Sequence, residues 1–330
     1  MQLPEIPQSG SNSLGKTGFF RFFQGRRFKR VYQQRYLLLM SIPFVVWCFL
    51  FMYLPLFGWV MAFQDFRLRG PVTLRSFWEA EWVGLANFRE LFADERFYTA
   101  LRNTLGMSFL GITIGFVVPI IFALLINEMR HGIFKRFVQT ISYMPHFISW
   151  VVAAGMITSM LATVGPINNL LMTLNFIDSP IPFLSRGEMF WGIITASEIW
   201  KSTGWNAIIF LAAISGIDGQ LYEAAETDGA GRFRKIWHIT LPGISNVIIV
   251  ILIMNIGWLM NVGFERQMLL GNPAIREWAE VLDVYILRFG VGTGRFSYGT
   301  AIGIFRSVVS IALLLTANAV ARKSGKGGVI

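Results

Sequence analysis

Six long apolar segments constrain this chain more than any other feature of its sequence. They lie near residues 37–62, 104–127, 138–161, 190–213, 244–264 and 298–320. Each provides the roughly 20 residues that an α-helix needs to cross about 30 Å of hydrocarbon. A chain that is 54% hydrophobic and only 15% charged does not bury all of them in a water-soluble fold. The sequence therefore predicts an all-α polytopic membrane protein, with six transmembrane helices over residues 36–321.

The rest of the sequence argues against an enzyme. The connections between the apolar segments are too short to fold as separate catalytic domains. The single cysteine, Cys48, lies inside the first apolar segment, and the three histidines lack the spacing of a metal site. No cluster of His, Asp or Glu marks a catalytic site. We therefore predict a transport protein with no catalytic residues and no metal site, driven by energy from another protein.

A secondary transporter is also disfavoured. Such a protein places several acidic residues near mid-membrane, often within an inverted repeat, whereas the spans here hold Glu198 alone and no convincing repeat. Two glycine pairs with a spacing of four indicate close helix contacts instead. They are Gly111 with Gly115, and Gly299 with Gly303. These features favour a packed bundle that depends on a separate energy source.

One segment of the amino-terminal tail matches the phosphate-binding loop of nucleotide triphosphatases. Residues 10–17 fit the pattern G-x-x-x-x-G-K-T. That loop needs a buried strand before it and a helix after it, so that amides and the helix dipole point at the phosphates. Pro4 and Pro7 do not allow a central strand at this position. We interpret the match as chance and predict that this chain binds no nucleotide.

Basic residues are divided unequally between the two faces of the predicted bundle. Cytoplasmic segments retain Lys and Arg during insertion, and an even number of spans puts both termini on one side. That side carries sixteen Lys and Arg. The other carries ten, in the longer segments 63–98, 162–189 and 265–297, where twelve Asp and Glu outnumber them. We therefore predict that both termini are cytoplasmic.

The two predicted cytoplasmic tails cover residues 1–35 and 322–330. The aromatic and basic stretch 19–32 fits either a segment that lies on the inner lipid headgroups or a disordered tail that only fixes topology. The net charge of +10 reflects this orientation, because the basic residues flank spans and accompany no nucleic-acid-binding motif. We predict the lipid bilayer, and no nucleic acid, as the partner of these charges.

The loop between the fourth and fifth spans, residues 215–242, carries the most informative pattern. Asp218 can cap a short helix, and two alanines leave a thin face against which another protein can pack. Gly229 can end that helix in a left-handed conformation. Pro242 suits the first turn of the fifth span, where a helix loses no hydrogen bond to proline. The pattern predicts a helix, a corner and another helix.

This loop resembles the EAA loop of membrane subunits in binding-protein-dependent ABC importers. The family pattern E-A-A-x-x-D-G-A followed by I-x-L-P is matched at Glu223, Ala224, Ala225, Asp228, Gly229, Ala230, Ile239, Leu241 and Pro242. Ile236 stands where the family usually has Phe, and it is also large and apolar. The resemblance implies the type I ABC importer fold, and it implies that the first six of these residues couple the permease to an ATPase subunit. ATP and Mg would bind to partner subunits only.

Further segments between residues 35 and 322 resemble the polysaccharide-type permeases of carbohydrate importers. Residues 139–150 match Q-T-x-x-Y-x-P-H-F-x-S-W, and shorter similarities lie at 84–88, 103–105, 165–168 and 200–205. The resemblance implies a heterodimer with a second permease in the bacterial cytoplasmic membrane, two ATP-binding cassette subunits and an extracytoplasmic solute-binding protein. Similarity to the larger permease of alginate-oligosaccharide importers implies an acidic oligosaccharide as solute. The alternative is an ABC permease for glycerol-phosphate or another small solute.

Polar residues inside the spans need a partner or a water-filled cavity, because each is costly in hydrocarbon. Glu198 and Lys201 lie three residues apart, so we expect them to pair on one helix face. Arg306 has no acidic neighbour in its own span, which leaves a cavity, a carbonyl, a solute carboxylate or an acidic residue of another span. The candidate substrate pathway comprises Arg306, Lys201, Asn206, Asn255 and Trp258.

Overall fold

The computed structural model describes residues 34–66, 77–129, 132–323 and 325. Its α-helices are α1 (Arg35–Cys48), α2 (Ala86–Ala93), α3 (Glu95–Leu110), α4 (Val117–Glu128), α5 (Ile133–Tyr143), α6 (Trp150–Leu161), α7 (Pro166–Thr173), α8 (Gly187–Ser215), α9 (Gly219–Thr227), α10 (Arg232–Lys235), α11 (Leu241–Gly243), α12 (Ser245–Gly257), α13 (Glu265–Leu270), α14 (Arg276–Ala279), α15 (Leu282–Tyr285) and α16 (Phe296–Lys323). Shorter 3₁₀ and π turns join several of them. In these ranges the only extended pairing is one antiparallel bridge, between Gln64 and Trp82.

Both predicted tails fall largely outside the described residues. Of the amino-terminal tail, 1–35, the structure describes only the last two residues, and the stretch that resembles a phosphate-binding loop is outside it. Of the carboxyl-terminal tail, 322–330, it describes Arg322, Lys323 and Gly325.

Four helical segments are long and apolar enough to cross a membrane. They are Arg35–Phe63, Glu95–Glu128, Trp150–Thr173 and Phe296–Lys323. Two bent pairs of helices also reach this length and composition. In the first, Gly187–Ser215 and Gly219–Thr227 meet at 71°, and in the second, Arg232–Gly243 and Ser245–Gly257 meet at 59°. The all-helical membrane architecture is confirmed, while the count of six spans and the cytoplasmic termini stay predictions.

Two of the predicted spans differ from the helices in the structure. The segment 138–161 is divided, because α5 ends at Tyr143 and a 3₁₀ turn follows over Met144–Phe147. Pro145 cannot donate the backbone hydrogen bond that would continue α5, and Ser149 then caps α6. The segment 244–264 also overruns its helix, since α12 ends at Gly257.

The chain divides into two compact units, one up to Gly58 and one from Trp59 onward. In the first unit, α1 continues through a π turn over Phe49–Tyr53. No residue of α1 is buried, and side chains such as Phe44 are 75% exposed. An apolar helix that is exposed on every side is suited to contact with lipid.

In the second unit, α8 is the central helix of the described bundle. It packs against α4, and six buried side chains form the core there, namely Ile120, Ala123, Ala207, Phe210, Ile214 and Ile244. The approach of α5 to α8 depends on Gly204, because a Cβ atom there would lie 2.1 Å from the backbone oxygen of Ser142. The absence of a side chain therefore fixes how closely α5 and α8 approach.

Asp94 connects three elements at one end of this bundle. Its carboxylate caps α3 by accepting from the backbone N–H of Arg96 at 3.0 Å, and it also accepts two hydrogen bonds from that guanidinium group. The hydroxyl of Tyr285 donates to the second oxygen at 2.6 Å and lies 2.7 Å from the hydroxyl of Tyr298. Asp94 thereby links α3 to α15 and, through the two tyrosines, to α16.

Candidate functional site

A cavity of about 300 Å³ lies among α3, α4, α8 and α12. Asn206, Asn255 and Trp258 line it together, as the candidate substrate pathway requires. The amides supply hydrogen-bond donors and acceptors, and the indole supplies a flat apolar surface. Trp258 is 67% exposed, so its ring is accessible. This combination suits a sugar ring, which has hydroxyl groups at its edge and apolar C–H faces.

Glycines enlarge the cavity at the junction of α3 and α4. Residues Gly111–Gly115 form a π turn that lines it. Among the residues that the structure describes, a Cβ atom on Gly111 would meet no atom within 4 Å, and one on Gly115 would meet only Ile199 at 4.0 Å. Within this part of the chain the close helix contact predicted for the pair is wrong, and the glycines leave open space instead. π turns of this kind are frequent at functional sites.

The second glycine pair behaves differently at its two positions. A Cβ atom on Gly299 would lie 3.1 Å from the Cα of Gly290, so the predicted close contact is confirmed there. It is formed with the π turn before α16 rather than with a long helix. A Cβ atom on Gly303 would meet no atom of the described residues within 4 Å, so the predicted contact is wrong at that position.

Glu198 and Arg266 form an ion pair in the cavity wall. Nη1 of Arg266 contacts Oε2 of Glu198, and Nη2 donates to the carbonyl oxygen of Val262 at 2.9 Å. The predicted pairing of Glu198 with Lys201 is therefore wrong, because the carboxylate has its partner on α13. Arg266 is a site residue that the sequence analysis missed.

Lys201 lies beside the cavity and is not part of its wall. Its ammonium group donates to the carbonyl oxygen of His146 at 2.7 Å. The 3₁₀ turn after α5 makes that carbonyl available, because helix ends leave carbonyls without intrahelical partners. The ammonium group also lies 5.5 Å from the centre of the Trp150 ring. Because Lys201 does not line the cavity, the structure gives no support for its place in the substrate pathway.

Arg306 also lies outside the cavity wall. Its Nη1 atom forms an ion pair with Oδ1 of Asp283, on α15. The other oxygen of Asp283 accepts from the backbone N–H of Gly263 at 2.9 Å. Of the four partners considered for Arg306, the observed one is therefore an acidic residue of another segment, Asp283.

The predicted coupling loop folds as a helix, a corner and a second helix. Asp218 caps α9 by accepting from the backbone N–H of Gln220 at 3.0 Å. α9 ends in a Schellman motif, in which the N–H of Ala230 donates to Ala225 at 2.8 Å and the N–H of Gly229 donates to Glu226 at 3.0 Å. Gly229 has φ +72°, as the sequence predicted. The structure thus contains the predicted local geometry around the candidate coupling residues Glu223, Ala224, Ala225, Asp228, Gly229 and Ala230.

Two side-chain contacts hold the corner together. Lys235 donates to Glu226 at 2.6 Å, and this hydrogen bond lowers the pKa of the Glu226 carboxyl. Tyr222 and Thr240 share a hydrogen bond of 2.9 Å. Around this corner, Phe233 is 89% exposed. A braced corner with an exposed apolar side chain has the form of a docking element.

Comparison with known proteins identifies the family. Residues 111–324 match the family described as binding-protein-dependent transport system inner membrane component. The chain is 44% identical over 300 residues to the polygalacturonan/rhamnogalacturonan transport system permease protein YteP of Bacillus subtilis (strain 168), covering 91% of this chain and 92% of that protein. It is 30% identical over 287 residues to the arabinooligosaccharides transport system permease protein AraP of the same organism, with coverages of 84% and 85%.

A solved structure has the same fold over nearly the whole chain. It is the crystal structure of a bacterial alginate ABC transporter in complex with an alginate pentasaccharide-bound periplasmic protein. The TM-score is 0.83 at 38% identity, covering 92% of this chain and 100% of that one. The chain is therefore a transport component rather than an enzyme. It belongs to the family of inner-membrane components of binding-protein-dependent transport systems.

Proposed function

We propose that this protein is a permease subunit of an ATP-driven oligosaccharide importer whose solutes are acidic chains that contain uronates. The observation that carries the proposal is the cavity in which Asn206, Asn255 and Trp258 meet, because amides and an indole ring recognise sugars. The names of the similar proteins support the solute class, since polygalacturonan and alginate are polymers of uronates.

In this proposal the cavity is one part of a pathway shared with a second permease in the bacterial cytoplasmic membrane. An extracytoplasmic binding protein delivers the oligosaccharide. ATP and Mg bind to two ATPase subunits, and α9 docks on one of them through Glu223, Ala224 and Ala225. Closure of the ATPase pair moves the loop and reorients the cavity, and hydrolysis resets it. This chain itself binds no cofactor.

The glycerol-phosphate alternative fits the cavity less well. A phosphate group carries more charge than a uronate carboxylate, and proteins hold it with several cationic or backbone N–H donors. In the described part of the cavity wall Arg266 is the one basic side chain, and Glu198 already contacts it. The wall is dominated by neutral polar and apolar groups, which favours a sugar chain.

Uptake by the reconstituted complex tests the proposal. The permease is co-expressed with its partner subunits, placed in liposomes and supplied with binding protein loaded with trigalacturonate. Uptake should require ATP inside the vesicle. Asn255→Ala should lower it about tenfold, because a hydrogen-bonding partner of the sugar in the cavity wall is lost. Asn246→Ala, on the same helix but outside the cavity wall, is the matched control and should leave uptake unchanged.

Two results would contradict the proposal. The first is a purified complex that contains no ATPase subunit. The second is a parent complex that transports no uronate oligosaccharide in the presence of ATP and binding protein. If Asn255→Ala and Asn246→Ala lower uptake equally, the cavity is not the sugar pathway.

A further inference from the structure

Two cationic side chains lie near the ring of Trp150 beside the cavity. The guanidinium carbon of Arg266 lies 5.9 Å from the ring centre, and the ammonium nitrogen of Lys201 lies 5.5 Å from it. Glu198 joins this cluster through its contact with Arg266. The tryptophan thus has two cations near it, while the cluster holds one carboxylate.

The charge of this cluster is unbalanced. Lys201 is only 9% exposed, and its hydrogen bond goes to a neutral carbonyl group. Among the residues that the structure describes, no carboxylate forms an ion pair with it. Glu198 compensates one of the two cations, which leaves a net charge of +1 in a low-dielectric bundle. Such a charge attracts an anion from the adjoining cavity.

Arg266 is also incompletely bonded. Its five N–H donors can hold a carboxylate by two parallel hydrogen bonds. In the structure one terminal nitrogen contacts a single oxygen of Glu198 and the other donates to a backbone carbonyl. The buried Nε has no hydrogen-bond partner among the described residues. The side chain of Glu198 is 40% exposed, so a solute in the cavity can reach the shared ion pair.

We propose that Arg266 binds the carboxylate of a uronate residue by exchanging Glu198 for the solute, and that Lys201 supplies the positive charge that favours this exchange. In the structure the carboxylate of Glu198 contacts the guanidinium group at the position proposed for the solute carboxylate. When an acidic sugar enters, its carboxylate takes over the hydrogen bond of Arg266, and Glu198 turns toward the polar cavity. The inference rests on the proposed function, because it assigns the acidic group of that solute to particular residues.

A purely structural ion pair is the competing account, and the molecule contains an internal control. Arg306 and Asp283 form a similar pair, but neither residue lines the cavity. Asp283 is also held by the backbone N–H of Gly263. Loss of Arg306 should therefore affect stability without distinguishing between acidic and neutral sugars.

The test measures binding to the whole transporter complex in nanodiscs without the binding protein, so that the preference of the binding protein does not enter. The probes are trigalacturonate and the same trisaccharide with its carboxyl groups reduced to alcohols. Arg266→Gln should weaken the binding of trigalacturonate at least about tenfold and leave the reduced sugar unchanged, because only the charged group is lost. Glu198→Gln should strengthen the binding of trigalacturonate several-fold, since the internal competitor is removed.

The double variant Arg266→Gln with Glu198→Gln separates the two accounts. It removes both members of the pair, so a structural role predicts that it binds trigalacturonate as well as Glu198→Gln alone does, whereas a solute contact predicts that it binds at least about tenfold more weakly than Glu198→Gln. Equal binding by the double variant and Glu198→Gln would overturn the inference. So would an equal loss for both sugars in Arg266→Gln. If the parent complex binds and transports trigalacturonate and Arg266→Gln binds it equally well, only this inference fails. If the parent complex transports no uronate sugar, the proposed function fails as well.

Discussion

Arg306 of the last helix is paired with Asp283 of α15, which lies before it in the chain. Arginine at the centre of a membrane helix costs about 2.5–3.5 kcal/mol on insertion scales. The Asp283 carboxylate offsets part of that cost. Because Asp283 also accepts from the backbone N–H of Gly263, the pair joins α15, α16 and the segment between α12 and α13. This relationship indicates a structural role for a residue that the sequence made a candidate for solute binding.

The first prediction concerns this pair. Arg306→Gln should lower the free energy of unfolding by about 2 kcal/mol, because it leaves a largely buried carboxylate without its cation. Thermal unfolding of the complex in nanodiscs measures the change. Addition of Asp283→Asn should recover part of the loss. Unchanged thermal stability, together with a selective loss of acidic-sugar uptake, would contradict the structural role.

The second prediction concerns the corner of the coupling loop. Gly229→Ala should cost about 1–2 kcal/mol locally, because φ is +72° there and a Cβ atom disfavours that region. No atom of the residues that the structure describes lies within 4 Å of the added Cβ, so the expected cost comes from backbone strain and not from a clash. We expect fewer sugar molecules transported per ATP hydrolysed in liposomes.

Gly231→Ala is the matched control for that experiment. Gly231 is two residues away and also faces open space, but its φ of −71° suits any residue. It should transport like the parent. Equal ratios of transport to hydrolysis in both variants would show that the corner does not couple the two processes.

The third prediction concerns pH and Asp94. Burial raises the pKa of this carboxyl, but the hydrogen bonds from Arg96 and Tyr285 outweigh it and lower the pKa from 3.8 to about 2. A lowered pKa stabilises the folded state above the unfolded value, and this stabilisation is lost as the pH falls through about 2. Asp94→Asn should therefore lower the melting temperature at pH 7, with a loss of about 1–2 kcal/mol.

The pH dependence distinguishes this effect from a loss of packing. The difference between parent and Asp94→Asn should stay constant from pH 7 to about pH 5, and it should shrink below about pH 4. Glu95→Gln, at the next and exposed position, is the control and should change the melting temperature little. A difference that is the same at every pH would refute the role of the charge.

The fourth prediction concerns orientation. In a Cys48→Ala background, Glu81→Cys should react with a membrane-impermeant thiol reagent added to intact cells, and Gly325→Cys should not. Both positions are exposed in the structure, so access to the reagent depends on the side of the membrane. The expectation follows from the excess of basic residues in the loops that share a face with the termini. The reverse labelling pattern would contradict the predicted orientation and, with it, the proposal of import.

The coupling loop was predictable because its geometry is local. Asp218 and Gly229 act on neighbours within five residues, and a helix cap or a left-handed glycine can be read from such a short stretch. Gln220 and Ala230, which take part in these hydrogen bonds, are just as near. The helix cap and the left-handed turn were therefore predictable, whereas the contacts of Glu226 with Lys235 and of Tyr222 with Thr240, 9 and 18 positions apart, were not.

The charged partners were not predictable for the opposite reason. Glu198 meets Arg266 across 68 positions, and Lys201 finds a carbonyl 55 positions away, so spacing within α8 held no information about either contact. The pairing of Glu198 with Lys201 was expected from a helix considered in isolation. In the bundle, an end of α5 and the start of α13 lie closer to these groups. One feature of the sequence could have indicated the pair: Arg266 follows just after the predicted span 244–264, and Glu198 is the one acidic residue inside the predicted spans.

The bend between the coupling loop and α12 has a mechanical consequence. The two arms meet at 59°, and the arm on the cavity side, Ser245–Gly257, has 13 residues and so a length of about 20 Å. If this arm pivots rigidly by about 10° at Ile244, its far end sweeps about 3 Å by lever geometry. Asn255 and Trp258 lie at that end. A displacement of this size exceeds the range of donor–acceptor distances over which a hydrogen bond persists. In the proposed function, a small rotation started at the ATPase would therefore be enough to release the sugar, because it moves Asn255 and Trp258 out of reach.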